Sequence, residues 1–220
     1  MNKIIKPLIL VIILTLNSIN SFSQDKKNSL VNSPEQSQKN IEIKFSYEQI
    51  AKLDDYLLHG QYQEFFNLIQ NTQVSKKNYL DYLLSKQNEG HIPLYWLISD
   101  YYAKENNQQE THKWFYISLI MTQQDSYLCS DLTARNAPRI LMKSFSTSVD
   151  VTRVSPQLID SSMKEVIYFI NNLKERIDPI WVCYYGNNGV LTGNNVLIPR
   201  SQWSNERKNV FNRFTSKFPK

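Results

Sequence analysis

Apolar positions recur at intervals of three and four residues along most of the chain, the spacing that puts them on one face of a helix. Ser46 followed by Gln49 forms a capping box, and behind it Ile50, Leu53 and Leu57 make a stripe that Gly60 ends. Tyr62, Phe65, Phe66 and Ile69 mark a second helix. A third is expected from about Lys76 to Lys86, capped by Ser75, with Tyr79, Leu80, Leu83 and Leu84 inward and Gly90 closing it. Pro93 suits the first turn of a fourth, through Leu94, Leu97, Ile98 and Tyr101. Residues Gln108 to Gln123 make a fifth, with Trp114, Phe115, Leu119 and Ile120. Asn136 and Pro138 open a sixth that reaches about Phe145. Ser155-Pro156 starts a long seventh, in period through Ile159, Met163, Val166, Ile170, Leu173 and Ile177. Ser204 caps a last helix with Val210, Phe211 and Phe214 on one side.

Two regions break this period. Gln24 to Lys44 is polar, contains Pro34 and reads as a flexible leader from which Ile41, Ile43 and Phe45 are able to dock as an extended piece. Ile180 to Tyr185 is a run of branched and aromatic residues, and Gly186-Asn187-Asn188-Gly189 can turn it back towards Val190 to Ile198. That pattern predicts a β-hairpin or an ordered loop. Three of the five glycines fall between 186 and 193, so the remainder favours helices with short joints. The expected fold is all-α, built of packed, repeat-like helical hairpins with a small C-terminal β-hairpin or ordered loop.

The N-terminus has the three-part layout of a secretory signal. Lys3 and Lys6 precede an apolar run from Leu8 to Leu16, and Ser21-Phe22-Ser23 offers small residues before Gln24. That run is too short for a hydrocarbon core that needs about 20 residues. The expected organisation is a signal peptide over 1–23, a flexible leader over 24–44 and one helical domain over 45–220, in a periplasmic protein. Losing Lys3 and Lys6 lowers the formal charge from +5 to +3. The remaining basic residues form no stripe, which argues against nucleic acid, and no basic amphipathic helix argues for a membrane surface.

Chemistry-bearing residues are few. Cys129 and Cys183 are the only cysteines, and in an oxidising compartment one disulfide is their simplest arrangement. Separate buried thiols, or a thiolate served by His59, His91 or His112, are the alternatives. Ser161-Ser162-Met163-Lys164 matches the S-x-x-K pattern of penicillin-binding enzymes, but the K-T-G partner is missing and Met163 belongs to a core stripe. The histidines lack metal-ligand spacing, and His59 beside Gly60 suits a helix C-terminus. No catalytic, metal or cofactor site is expected. Aromatic residues, 12% of the chain, exceed what one helical face buries. Tyr102, Trp181, Tyr184, Tyr185 and Trp203 are therefore candidates for a partner-binding surface. Glu105 and Glu110, with Asp100 nearby, are placed to oppose a basic partner.

An echo runs at an offset of 46: Tyr56 to Glu64 and Tyr102 to Glu110 each read as an aromatic, a turn and the start of a helix. Tyr95 to Ser118 resembles one tetratricopeptide or Sel1-type repeat, with Asn106-Asn107 in place of the usual turn glycine and Thr111 in place of the usual alanine. The spacing departs from the 34 or so residues of a regular array. The downstream half resembles exported immunity proteins encoded beside antibacterial toxins of contact-dependent, type VI-like secretion. The residues that carry this are Pro93-Leu94-Tyr95-Trp96-Leu97, Cys129 with Thr133 to Pro138, Trp181-Val182-Cys183-Tyr184, and Pro199 to Trp203. The resemblance implies a cognate toxin as protein partner, occluded by binding, and no catalytic residue or cofactor. A helical-repeat adaptor or chaperone, or an envelope enzyme whose site assembles only in the fold, are the other classes.

Overall fold

A computed structural model describes residues 42–145, 154–174, 176–187 and 196–217. The expected signal peptide, most of the leader and residues 188–195 of the expected hairpin lie outside them. Nine α-helices occur among the described residues: α1 (Tyr47–Leu58), α2 (Tyr62–Asn71), α3 (Lys76–Ser85), α4 (Ile92–Lys104), α5 (Gln108–Ser126), α6 (Ala137–Phe145), α7 (Pro156–Asn172), α8 (Ile180–Cys183) and α9 (Arg200–Thr215). Short 3-10 turns at Gln87–Glu89 and Leu132–Asn136 lead into α4 and α6. The fold is all-α.

Local chemistry sets most boundaries. At α1, Gln49 N–H donates to Ser46 Oγ (3.2 Å) while Ser46 N–H donates to Gln49 Oε1 (2.8 Å), the reciprocal pair of a capping box. Ser75 and Ser155 accept from Asn78 N–H and Leu158 N–H at the starts of α3 and α7. The end of the leader docks as an extended piece: Ser75 N–H donates to Ile43 O (2.9 Å), and the buried Phe45 ring lies 5.4 Å from Tyr82.

The two echoing hairpins share one turn. Gly60 (φ 66°) and Asn106 (φ 58°) are both left-handed. After α1, Gly60 N–H donates to Leu57 O and Gln61 N–H to Tyr56 O; after α4, Asn106 N–H donates to Ala103 O and Asn107 N–H to Tyr102 O. Each pair is a Schellman motif. Asparagine is the non-glycine residue best able to take that position, so the missing turn glycine is replaced by its nearest functional substitute.

Helix α5 is the central element. Twelve of its 19 residues are buried, too many for one face, and α4, α6, α7 and α9 all pack on it. Around it the aromatic residues form the core. Trp96 stacks on Phe145 (5.4 Å, 17°) and meets Phe115 edge-on (5.7 Å). Tyr95, Trp114 and Phe169 form a triangle with centroids 5.4–5.7 Å apart. The Trp96 indole N–H donates to Thr122 Oγ1 (3.1 Å), so a core this apolar leaves that donor satisfied.

Two boundaries differ from expectation. Ile180 to Tyr185 is not a strand: Asp178 Oδ1 accepts from Ile180 N–H (3.0 Å) and starts a helical turn, with Trp181, Val182 and Cys183 all buried. A short run buried on every side carries no period that separates strand from helix. The β-type pairing forms elsewhere, where Ser130 N–H donates to Val196 O and Ile198 N–H to Leu128 O (both 2.8 Å) around a Cys129–Leu197 bridge. The last helix starts at Arg200, after Pro199, and not at Ser204, which lies exposed inside it. Among the described residues no helix is long and apolar enough to cross a membrane.

Candidate functional site

Cys129 and Cys183 are bonded, with Cα atoms 5.5 Å apart, so neither serves as a thiolate. The bridge joins the segment after α5 to the end of α8. Immediately beyond it, the chain presses on the 3-10 turn: a Cβ at Gly186 would come within 2.5 Å of Asp131 Oδ2, and Asn187 N–H donates to Thr133 Oγ1 (2.8 Å). A side chain at 186 would have to displace the Asp131 carboxylate. Asp131 holds the turn in place by accepting from both Thr133 N–H and Thr133 Oγ1–H.

The residues expected to meet a partner separate into different roles. Trp181 and Tyr185 are buried, and burial pushes the Tyr185 hydroxyl pKa up. With Tyr62, Phe66, Pro93, Trp96, Leu141 and Phe145 they line an apolar hollow of about 30 Å³, room for one water rather than a ligand. Tyr102 is half-buried against the core and edge-on to Tyr101 (5.8 Å); Tyr184 is half-buried. The acids are already matched within the chain. Glu105 pairs with Lys76 (2.9 Å), Asp100 with Lys104 (2.7 Å), and Glu110 with Lys113 (2.6 Å) while also accepting from the Trp114 indole N–H. They form no uncompensated acidic face.

The histidines do not converge. His59 is exposed and its Nδ1 lies 2.9 Å from Asp55 O at the end of α1, the helix terminus expected for it. His91 is buried, 3.2 Å from Tyr62 Oη, and burial lowers its pKa despite Glu89 3.5 Å away. Ser161 Oγ–H donates to Leu158 O (3.1 Å) and lies 3.2 Å from Gln109 Oε1, with no contact to Lys164 among its hydrogen bonds. No group of three His, Cys, Asp or Glu among the described residues is placed to hold a metal ion.

Trp203 leads to the part of the surface that stands out. Its indole N–H donates to Ile198 O (2.9 Å), and the guanidiniums of Arg200 and Arg207 lie 5.2 and 5.7 Å from its ring centre. Arg207 also reaches inward, donating through Nε (3.1 Å) and Nη2 (2.9 Å) to Oδ1 of Asp125, which is wholly buried. Arg176 approaches the same oxygen at 3.9 Å. Burial raises the Asp125 pKa while the two arginines pull it back; burial also lowers Arg176 to about 10. This network pins α9 to the C-terminal end of α5.

Next to it opens a polar groove lined by Tyr127, Arg135, Glu206, Asn209, Asn212 and Arg213. The Arg135 and Arg213 guanidiniums both lie over the Tyr127 ring, 4.2 and 4.7 Å from its centre. Both arginines are exposed, and neither makes an ion pair among the described residues. Arg135 comes from the 3-10 turn held by Gly186 and Asp131, Tyr127 from the end of α5, and Arg213 from the last turn of α9. Sequence reasoning missed this site because its members come from three elements and share no local motif. The available signal was the coincidence of an aromatic at the end of α5 with two arginines closing separate helices.

No protein-family model, curated protein or solved structure matches the chain.

Proposed function

We propose that the protein is an exported immunity protein, which neutralises an antibacterial toxin in the periplasm by covering it. The observation that carries the reading is the groove over Tyr127, where two arginines with no ion pair among the described residues stand on a braced frame. A binder that excludes substrate from a toxin's cleft needs a preformed surface, because ordering a flexible one on binding costs affinity. Here the frame is held by the Cys129–Cys183 bridge, by the Asp125–Arg207 pair and by Gly186 packed on Asp131. The bridge suits an oxidising compartment, as does the signal-like N-terminus. The resemblance of the downstream half to exported immunity proteins supplies the class of partner.

Competition in dense contact tests this. A strain lacking the gene is grown against its toxin-armed parent, with and without a plasmid copy. Killing of the unprotected strain alone is the expected result; survival of that strain, with the parent's secretion verified active, overturns the reading. N-terminal sequencing of the envelope fraction should begin at Gln24.

A second reading, a helical-repeat adaptor, is favoured by the shared turn of the hairpins α1–α2 and α4–α5. An adaptor retains several partners weakly, whereas an immunity protein retains one tightly.

A further inference from the structure

We propose that the Tyr127 groove is a carboxylate-binding subsite that receives an acidic segment of a protein partner. The inference rests on the reading above for the nature of the partner and on the groove alone for its chemistry.

Stacking occupies the face of a guanidinium and leaves its N–H edge available. The Arg135 and Arg213 guanidiniums both lie over the Tyr127 ring, 4.2 and 4.7 Å from its centre. Held against the ring, each still carries the planar fork of N–H donors whose geometry a carboxylate accepts. Either arginine alone would need no ligand to explain it. Arg213 lies in the last turn of α9 and Arg135 in the last turn of the 3-10 helix, where a cation is favoured by the exposed carbonyls. That does not account for both converging on one ring, where neither makes an ion pair among the described residues. An incoming anion supplies that partner.

The rest of the lining selects the kind of anion. Glu206 contributes a negative charge, and Asn209 and Asn212 contribute amides able to donate and accept. A phosphate chain concentrates its charge against Glu206, whereas an acidic peptide spaces its carboxylates along a backbone whose amide groups can pair with the asparagines. Residues three apart in a 3-10 helix share a face, so Leu132, 62% exposed, stands on the same side as Arg135 and offers an apolar contact to a neighbouring side chain.

The test titrates purified, oxidised protein with acetyl-hexaglutamate amide while following the Nε–H NMR signals of Arg135 and Arg213. Acetyl-hexalysine amide and tripolyphosphate serve as comparisons. Hexaglutamate should move both signals saturably, hexalysine should not, and tripolyphosphate should bind more weakly. R135Q/R213Q should weaken hexaglutamate binding at least ~10-fold, the order expected for lost charge-assisted hydrogen bonds. R213K, which keeps the charge without the planar fork, should weaken it by a smaller factor. Unmoved arginine signals, unchanged binding in R135Q/R213Q, or tighter binding of tripolyphosphate each overturn the subsite. Should the double variant fail to fold, R213K decides, and unchanged affinity there overturns it. Because the titration contains no toxin, its failure leaves the competition result standing, and loss of the immunity reading leaves a positive titration intact.

Discussion

Gly60 and Asn106, 46 positions apart, hold the same left-handed backbone position in the same hydrogen-bonded turn. Nothing lies within 4 Å of a Cβ built on Gly60, so only backbone conformation opposes a side chain there. Gly60→Ala should cost about 1 kcal/mol and Asn106→Ala less, because asparagine already carries a Cβ there; each is read as a lower urea midpoint at unchanged slope. Asn106→Gly should raise the midpoint slightly. An alanine cost at Asn106 larger than that at Gly60 would mean that the turns are held by different forces.

Arg207 donates two hydrogen bonds to Oδ1 of the Asp125 carboxylate. Arg207→Ala leaves a buried carboxylate with the more distant Arg176 and the Trp181 indole beside it, and should cost about 3–5 kcal/mol. Adding Asp125→Asn to that variant should recover part of the loss, since the uncompensated charge is then gone. A double-mutant cycle in urea measures the coupling; additive losses would show that the pair does not act as a unit.

His91 sets a pH dependence. Burial holds its folded pKa below the ordinary 6.5, so below that value the unfolded chain binds more protons than the folded one. Stability from this group is present above about pH 6.5 and is lost as pH falls through the depressed folded pKa. Unfolding free energies measured from pH 8 to 5 should decline on the acid side, and His91→Gln should flatten that decline.

The Cys129–Cys183 bridge closes a separation of 54 residues. Replacing both cysteines by alanine should lower stability by about 4 kcal/mol on chain-entropy grounds. Urea unfolding of the variant and of the parent with and without reductant provides the comparison. A variant as stable as the oxidised parent would remove the bridge from the frame of the groove.

Much of this architecture was legible in the chain because its signals are local. Ser46 with Gln49, Ser75 and Ser155 announce helix starts through bonds to residues three positions away, Pro93 does so by its fixed φ, and those starts agree with expectation to within a residue or so. Gly60 and Gly90 mark ends for the equally local reason of positive φ. Legibility failed where burial is complete or partners are distant. Trp181 and Tyr185 looked like surplus surface aromatics, yet both close the core, which only packing reveals. Glu105 and Glu110 looked available, but their lysines complete them in three dimensions. Tyr127, Arg135 and Arg213 are individually unremarkable residues that become a site only when α5, the 3-10 turn and α9 meet.

Cys129 sits in the backbone pairing that brings residues 196–198 and the start of α9 alongside α5, and Cys183 precedes the Gly186 contact that holds the turn bearing Arg135. Both walls of the groove are thus tethered to a bond that thiol-reducing surroundings keep open. One chain therefore has a tied and an untied form of this face, and the redox state of its surroundings selects between them.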